Sequence, residues 1–271
     1  MKITDYPVIT KFTEDNVMLV DGNGGTKTIT IADAILAALH MTSPTNHRLV
    51  FRGKNLGSAV TTEQLAAIQA GTFEGLWLGD YWEINGITWR IADFDYWYNK
   101  GETKCTKHHL IIVPDTSLFT STMNAAGTTA GGYIGSVMYT TKMAEAKTRV
   151  ASAFGDSVVK HQNFFTNAVT SGKPSSGAWV DSTVDLMNEY MMYGHPHAMA
   201  LPAGTNVTAY DTIDVTQLAL FSAKPEFVHC ASTWLRDVAS ASQFAHAHPN
   251  GTASVANADW ELGVRPVFAI G

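Results

Sequence analysis

Cysteine is almost missing from this chain: Cys105 and Cys230 are the only two among 271 residues. Two such distant thiols make no zinc or redox spacing; they read as two buried thiols, with a disulfide between them left open. Charge is also scarce, at 15% of residues against about 25% for an ordinary domain. The net charge of −6 provides no basic surface for tracking nucleic-acid phosphates. Apolar runs stay well short of the ~20 residues that span a bilayer, so no membrane insertion is expected. No charged segment followed by an apolar stretch opens the chain, which reads as having no secretory signal. His-Glu-x-x-His, Gly-x-Ser-x-Gly and phosphate-cradling glycine loops are absent too. Asp21-Gly22-Asn23-Gly24-Gly25 lacks the lysine a phosphate loop needs and reads as a hairpin turn. Serine, histidine and aspartate are plentiful, but without a nucleophile motif they do not amount to a triad.

Gly, Ser, Thr, Ala and Asn fill the space that charge leaves, a bias that suits sheets and turns. Val17–Val20 and Thr26–Ile31 flank the glycine-rich turn as two strands. Thr30 then caps a helix over 31–40, with Asp33 in its first turn. Residues 41–55 read as an irregular arm. Thr61-Thr62-Glu63-Gln64 is a capping box for a short helix ending at Ala70, with Gly71 after it. Asn85-Gly86 between aromatic and β-branched runs predicts a hairpin, and 109–114 a third strand stopped by proline. Met143, Ala146, Val150 and Phe154 recur at helical spacing, predicting a helix over 141–154. A second helix is expected over 183–193, capped by Ser182 with Asp185 closing the box. Residues 171–177 read as the turn between these helices, and 217–221 as a strand. Trp77, Trp82, Trp89 and Trp97 cluster about the first hairpin and read as core packing rather than a sugar platform.

Three histidine groups, His108-His109, His195-Pro196-His197 and His246-Ala247-His248, raise the question of a metal. Each lacks a third ligand at a known spacing. They read as loop or contact histidines, so no metal and no cofactor is expected.

The last forty residues carry the most information. Thr233-Trp234-Leu235-Arg236-Asp237-Val238 and Gly263-Val264-Arg265-Pro266-Val267-Phe268-Ala269-Ile270-Gly271 read as strands framing a polar, small-residue stretch. That stretch shows neither helical nor alternating period, so burial does not fix its path. Loops on a rigid frame are where binding residues gather, and Ser, Asn and aromatics make an adaptable contact surface. The ligand-contact candidates are Ser240, Ser242, Phe244, His246, His248, Asn250, Thr252, Ser254, Asn257 and Trp260. Arg236 and Arg265 read as the structural groups that hold the frame.

Trp-Leu-Arg-Asp followed at this distance by Gly-Val-Arg-Pro resembles the end of C-type-lectin-like display domains. These occur in bacteriophage structural proteins and in variable proteins diversified by retroelements. The resemblance implies an α+β fold, a lectin-like mixed sheet with two helices and long loops over residues 72–271. The last strand would return beside the first hairpin. Residues 46–71 would be a linker with a short helix. Residues 1–45 resemble the hairpin-helix attachment units of phage fibre and head-decoration proteins. The implied protein is not an enzyme. It is a virion surface protein, made in the host cytoplasm, on head or tail. It would be a homo-oligomer, a trimer by the resemblance, bound to capsid or tail through its N-terminal unit. Its ligand would be a host-surface protein or glycan. A capsid cement protein, and a formylglycine-generating type of enzyme on the same scaffold, are the alternatives. The latter would need reactive cysteines in a motif that Cys105 and Cys230 do not supply. The Glu-Pro-Asn and Trp-Asn-Asp triplets of calcium-dependent sugar-binding lectins are absent.

Overall fold

The computed structural model describes residues 17–22, 25–30, 44–201, 214–228 and 231–271. The chain divides into two compact units, Met1–Thr42 and Ser43–Gly271. In the first, β1 (Val17–Gly22) pairs antiparallel with β2 (Gly25–Thr30), and Gly22 stands opposite Gly25. The register leaves a two-residue connection at Asn23-Gly24, as the glycine-rich run implies. The helix expected over 31–40 lies outside the described residues.

The second unit is an α+β structure dominated by two five-stranded sheets. The first is ordered β3 (Tyr81–Ile84), β4 (Ile87–Phe94), β5 (Leu110–Pro114), β14 (Pro266–Ile270), β9 (Val184–Leu186). The Asn85-Gly86 hairpin forms as the sequence predicts, with both residues at positive φ. Strands β5 and β14 are buried along their whole length. The last strand pairs with β5 and β9 rather than directly beside the first hairpin. The second sheet is ordered β12 (Ala253–Asn257), β11 (Gln243–Ala247), β10 (Thr233–Val238), β13 (Leu262–Val264), β6 (Phe119–Ser121).

Arg265 is the single residue between β13 and β14, where the chain steps from one sheet to the other. Its guanidinium is buried and donates to Pro114 O at 2.8 Å and Phe227 O at 2.7 Å. A side chain at Gly263 would run into Ser117 and the Ser232 carbonyl. The Gly-Val-Arg-Pro run is therefore the joint between the two sheets.

Three helices pack near the first sheet. Helix α1 (Pro44–Leu49) and the residues after it are fastened to the body rather than forming a linker. Arg48 grips Asp93 with two hydrogen bonds. Arg52 does the same to Asp80, while Phe51 and Asn55 bridge in parallel to Leu78 and Tyr81. Helix α2 (Thr62–Gln69) carries the complete capping box at Thr61 and Gln64. Gln64 also accepts from Trp82 Nε1 at 3.1 Å, tying cap to core. Helix α3 (Met143–Phe154) follows a π-helical turn, Met138–Lys142, and buries the predicted Met143, Ala146, Val150 and Phe154. Phe154 meets Trp89 and Phe268 edge-on or tilted, with centroids 5.5 and 5.2 Å away. Trp77, Trp82, Trp89 and Trp97 are all at most 5% exposed, so the tryptophans are core.

Three stretches depart from the sequence reading. Residues 161–182 form a long hairpin, β7 (His161–Thr170) with β8 (Lys173–Ser182), where only a turn was expected. Residues 183–193 do not make one helix. Val184–Leu186 is drawn into β9 by pairing with Pro266–Phe268, and Asp185 turns inward to Ser182 and Tyr133. Only α4 (Glu189–Tyr193) is helical; Asn188 caps it and Gly194, at φ 80°, ends it. The strand expected at 217–221 is instead helix α5 (Ala219–Ala223). It has no cap of its own, and the Asp93 carboxylate accepts the Ala219 N–H from across the fold at 3.1 Å.

Gly79 sits at φ +81°, and an added Cβ would stand 2.1 Å from the Phe51 ring. Gly79→Ala is expected to cost about 1–3 kcal/mol, through backbone strain and displacement of Phe51. A urea denaturation curve of the variant checks this, and an unchanged midpoint would contradict it.

Candidate functional site

The framing strand β10 is locked by the residues of Trp-Leu-Arg-Asp. Trp234 donates from Nε1 to Ser121 O at 2.8 Å, which anchors β10 to the neighbourhood of β6. Leu235 is fully buried. Arg236 pairs with Asp214 at 2.5 Å, donates to Leu186 O at 2.9 Å and lies 5.0 Å over the Phe165 ring. Trp97 Nε1 donates to the other oxygen of Asp214 at 2.6 Å. Asp237 accepts the Glu189 N–H at 2.6 Å. Arg236 and Arg265 are structural, as the sequence reading has them.

The stretch between the frames is a hairpin rather than a loop. Ala258 N donates to Ser242 O and His248 N to Thr252 O. In an antiparallel pair bonded and non-bonded positions alternate, so 244/256 and 246/254 are also bonded pairs in the observed register. Burial is carried by Ala245, Ala247, Ala253, Ala256 and Ala258. Such small residues give a weak hydrophobic period, which is why the sequence showed none.

This hairpin sorts the ten contact candidates. His248, Asn250, Thr252 and Trp260 are exposed, Trp260 by 55%. Ser240, Ser242, Ser254 and Asn257 are half-buried. Phe244 and His246 are corrected: both are buried, Phe244 completely. Phe244 belongs to the hydrophobic core, and His246 Nδ1 lies 3.1 Å from Ala247 O. Burial also pushes the His246 imidazole below its usual value. Val255, 38% exposed on the edge strand, was missed, because valine in a strand normally reads as core.

The exposed turn is held by its own side chains. Asn250 Oδ1 accepts from Thr252 N at 3.1 Å and Thr252 Oγ1 at 2.8 Å, and Gly251 takes φ +85°. At the other end Thr129 grips the 240–241 bend, donating from N to Ala241 O and from Oγ1 to Ser240 O. Gly172, at the tip of the β7–β8 hairpin, lies against the same bend, close enough that a Cβ would be 3.0 Å from Ala241 N. The contact groups are thus indole, imidazole, amide and hydroxyl on a fixed backbone, suited to reversible binding.

The other histidines have partners of their own. His108 meets Asp95 at 2.7 Å and stacks on Tyr98, centroids 4.5 Å apart. His109 Nε2 accepts the Trp97 N–H at 3.0 Å. His195 and His197 stand 6.3 Å apart. Among the described residues no three His, Cys, Asp or Glu side chains converge as a metal site. Cys105 is buried, and burial raises its thiol; Cys230 lies outside the described residues, and with it the question of pairing.

Comparison with known proteins gives no match: no family model, no curated protein and no solved structure resembles the chain.

Proposed function

We propose that this chain is a non-enzymatic contact protein of a virion surface, with residues 72–271 as a C-type-lectin-like display domain. One observation carries the reading: a short polar turn and an exposed tryptophan are mounted between two strands buried almost without interruption. Substituting the turn leaves the frame intact, which is the physical requirement of a surface that varies its ligand. The contact set is His248, Asn250, Thr252 and Trp260, with Ser240, Ser242, Ser254 and Asn257 at its margins. The first unit would attach to capsid or tail, and a homotrimer would add avidity to weak single contacts.

The test is Trp260→Ala, which removes the most exposed large group of the contact set and leaves the hydrogen bonds of the turn in place. Exposed positions of this kind are each expected to change stability by no more than about 0.5 kcal/mol. The expected result is an unshifted denaturation midpoint with lost binding to glycan arrays and to a panel of bacterial cells that the unaltered chain labels. Equal labelling by both proteins would overturn the reading, as would absence of the chain from the surface of purified particles.

A further inference from the structure

Along β10, four acids of the described residues gather about the Arg236 guanidinium. Asp237 and Arg236 come from β10, Glu189 from α4, Asp185 from β9, and Asp214 from the segment leading to α5. Arg236 is in direct contact with Asp214, and its charge is shared with Asp237 and Asp185. Glu189 and Asp237 instead meet through the backbone, with Glu189 N–H donating to Asp237 Oδ2. The Glu189 carboxylate does a second job. It accepts three successive backbone N–H groups, from His197 at 2.7 Å, Ala198 at 2.8 Å and Met199 at 3.2 Å. The next residue, Ala200, donates to Val238 O at 2.8 Å. Residues 197–200 are therefore strapped along the end of β10, two residues before Ser240, where the candidate contact surface begins.

We propose that Glu189 and Asp237 form a pH-responsive clamp, which holds the 197–200 strap against β10 and slackens it once Asp237 takes up its charge beside Glu189. The groups facing Asp237 are Glu189, Asp214 and the Arg236 guanidinium; Tyr193 in turn faces Glu189, and Asp185 faces Arg236. Burial disfavours charge on Asp237 most, Glu189 adds to this, and Arg236 opposes it. Burial and the Glu189 carboxylate raise the Asp237 carboxyl to about 7, so the Asp237 charge arrives near neutrality. When it does, the cheapest relief is to move Glu189 away, and the three N–H groups it holds go with it. The clamp does not depend on which ligand the surface takes, nor on the virion reading.

Hydrogen exchange of the full chain tests this, with rates at Ala198, Met199 and Ala200 corrected for the intrinsic pH dependence of exchange. Protection is expected to fall at least about tenfold from pH 5.5 to pH 8.5, the factor for a single unit of a displacement that is larger than one unit. The midpoint should lie near 7, and Asp237→Asn should flatten the profile while keeping an oxygen for the Glu189 N–H. A flat profile in the unaltered chain, or an equal fall in the variant, would overturn the clamp. Should the variant not fold, a carboxyl carbon-13 titration of Asp237 in the unaltered chain decides. A midpoint near 7 matching the loss of protection supports the clamp, and ionisation complete below pH 5.5 defeats it.

Discussion

Arg236→Met is expected to destabilise the second unit by about 3–5 kcal/mol, the range for stripping one partner from a buried ion pair. The guanidinium is 7% exposed and has three attachments: Asp214, the Leu186 carbonyl and the face of Phe165. Methionine keeps much of the apolar volume, so the loss measures the charge and its hydrogen bonds rather than a cavity. What makes it costly is the remainder. Asp214 keeps Trp97 Nε1 as a donor, but among the described residues its charge then has no cation in direct contact. Asp214→Asn added to Arg236→Met removes that stranded charge, and the double variant is expected to recover part of the deficit. Urea unfolding of the two single variants and the double closes the cycle. A single-variant loss below about 1 kcal/mol would place Arg236 with ordinary surface pairs. The exposed Arg149–Glu145 pair of α3 is the natural control. Removing it is expected to cost only about 0.3–0.5 kcal/mol.

The same arginine shows how unevenly the fold was written in the sequence. Local signals were legible: Asn85-Gly86 made its hairpin, Thr61 its capping box, and the spacing of Met143, Ala146, Val150 and Phe154 its helix. Each is decided by residues within one or two turns of each other. Where long-range pairing decides, the local signal misled. Val184-Asp185-Leu186 carries a cap-like serine before it and reads as a helix start. It becomes β9 because β14, some eighty residues later, offers a strand to pair with. Residues 217–221 read as a strand, yet the carboxylate of Asp93 caps them as a helix from a distant part of the chain. Arg48 and Arg52 look like residues of a solvated arm until Asp93 and Asp80 are found beneath them. At the candidate site the framing strands were legible and the hairpin between them was not, because alanine buries little surface and leaves no period. Phe244 and His246 were misplaced for that reason: without the strand register, nothing in the sequence separates an inward aromatic from an outward one.

Acid is expected to undo this fold through His161. Its ring is 4% exposed and lies parallel to the Trp97 indole at a centroid distance of 3.6 Å. Asn163 Nδ2 approaches its Nε2 at 3.2 Å, and the nearest carbonyl, Val159 O, is 3.5 Å away. Among the described residues no carboxylate is in contact to welcome a proton, and burial, the nearby His109 and Arg236 depress the imidazole from 6.5 to about 3. In the unfolded chain the same imidazole protonates near 6.5. Between these values the unfolded state binds a proton that the folded state refuses, so stability present above pH 6.5 is lost as pH falls toward 3. The slope is about 1.4 kcal/mol per pH unit and the whole window amounts to about 5 kcal/mol. Asp237 works in the opposite sense. Its folded carboxyl is raised to about 7, so its contribution is present at low pH and is lost as pH rises from the ordinary carboxylate range through 7. The two slopes overlap between about pH 4 and 6.5, and the raw stability profile of the chain is expected to look flatter there than either group alone would make it. The difference between the unaltered chain and His161→Gln separates them. The variant pays at neutral pH for its poorer stack on Trp97, and it is expected to regain ground on the unaltered chain by about 1.4 kcal/mol for each unit below pH 6.5. A difference that stays constant from pH 7 to pH 4 would mean that the imidazole accepts its proton while still stacked on Trp97, and that acid stability is set elsewhere.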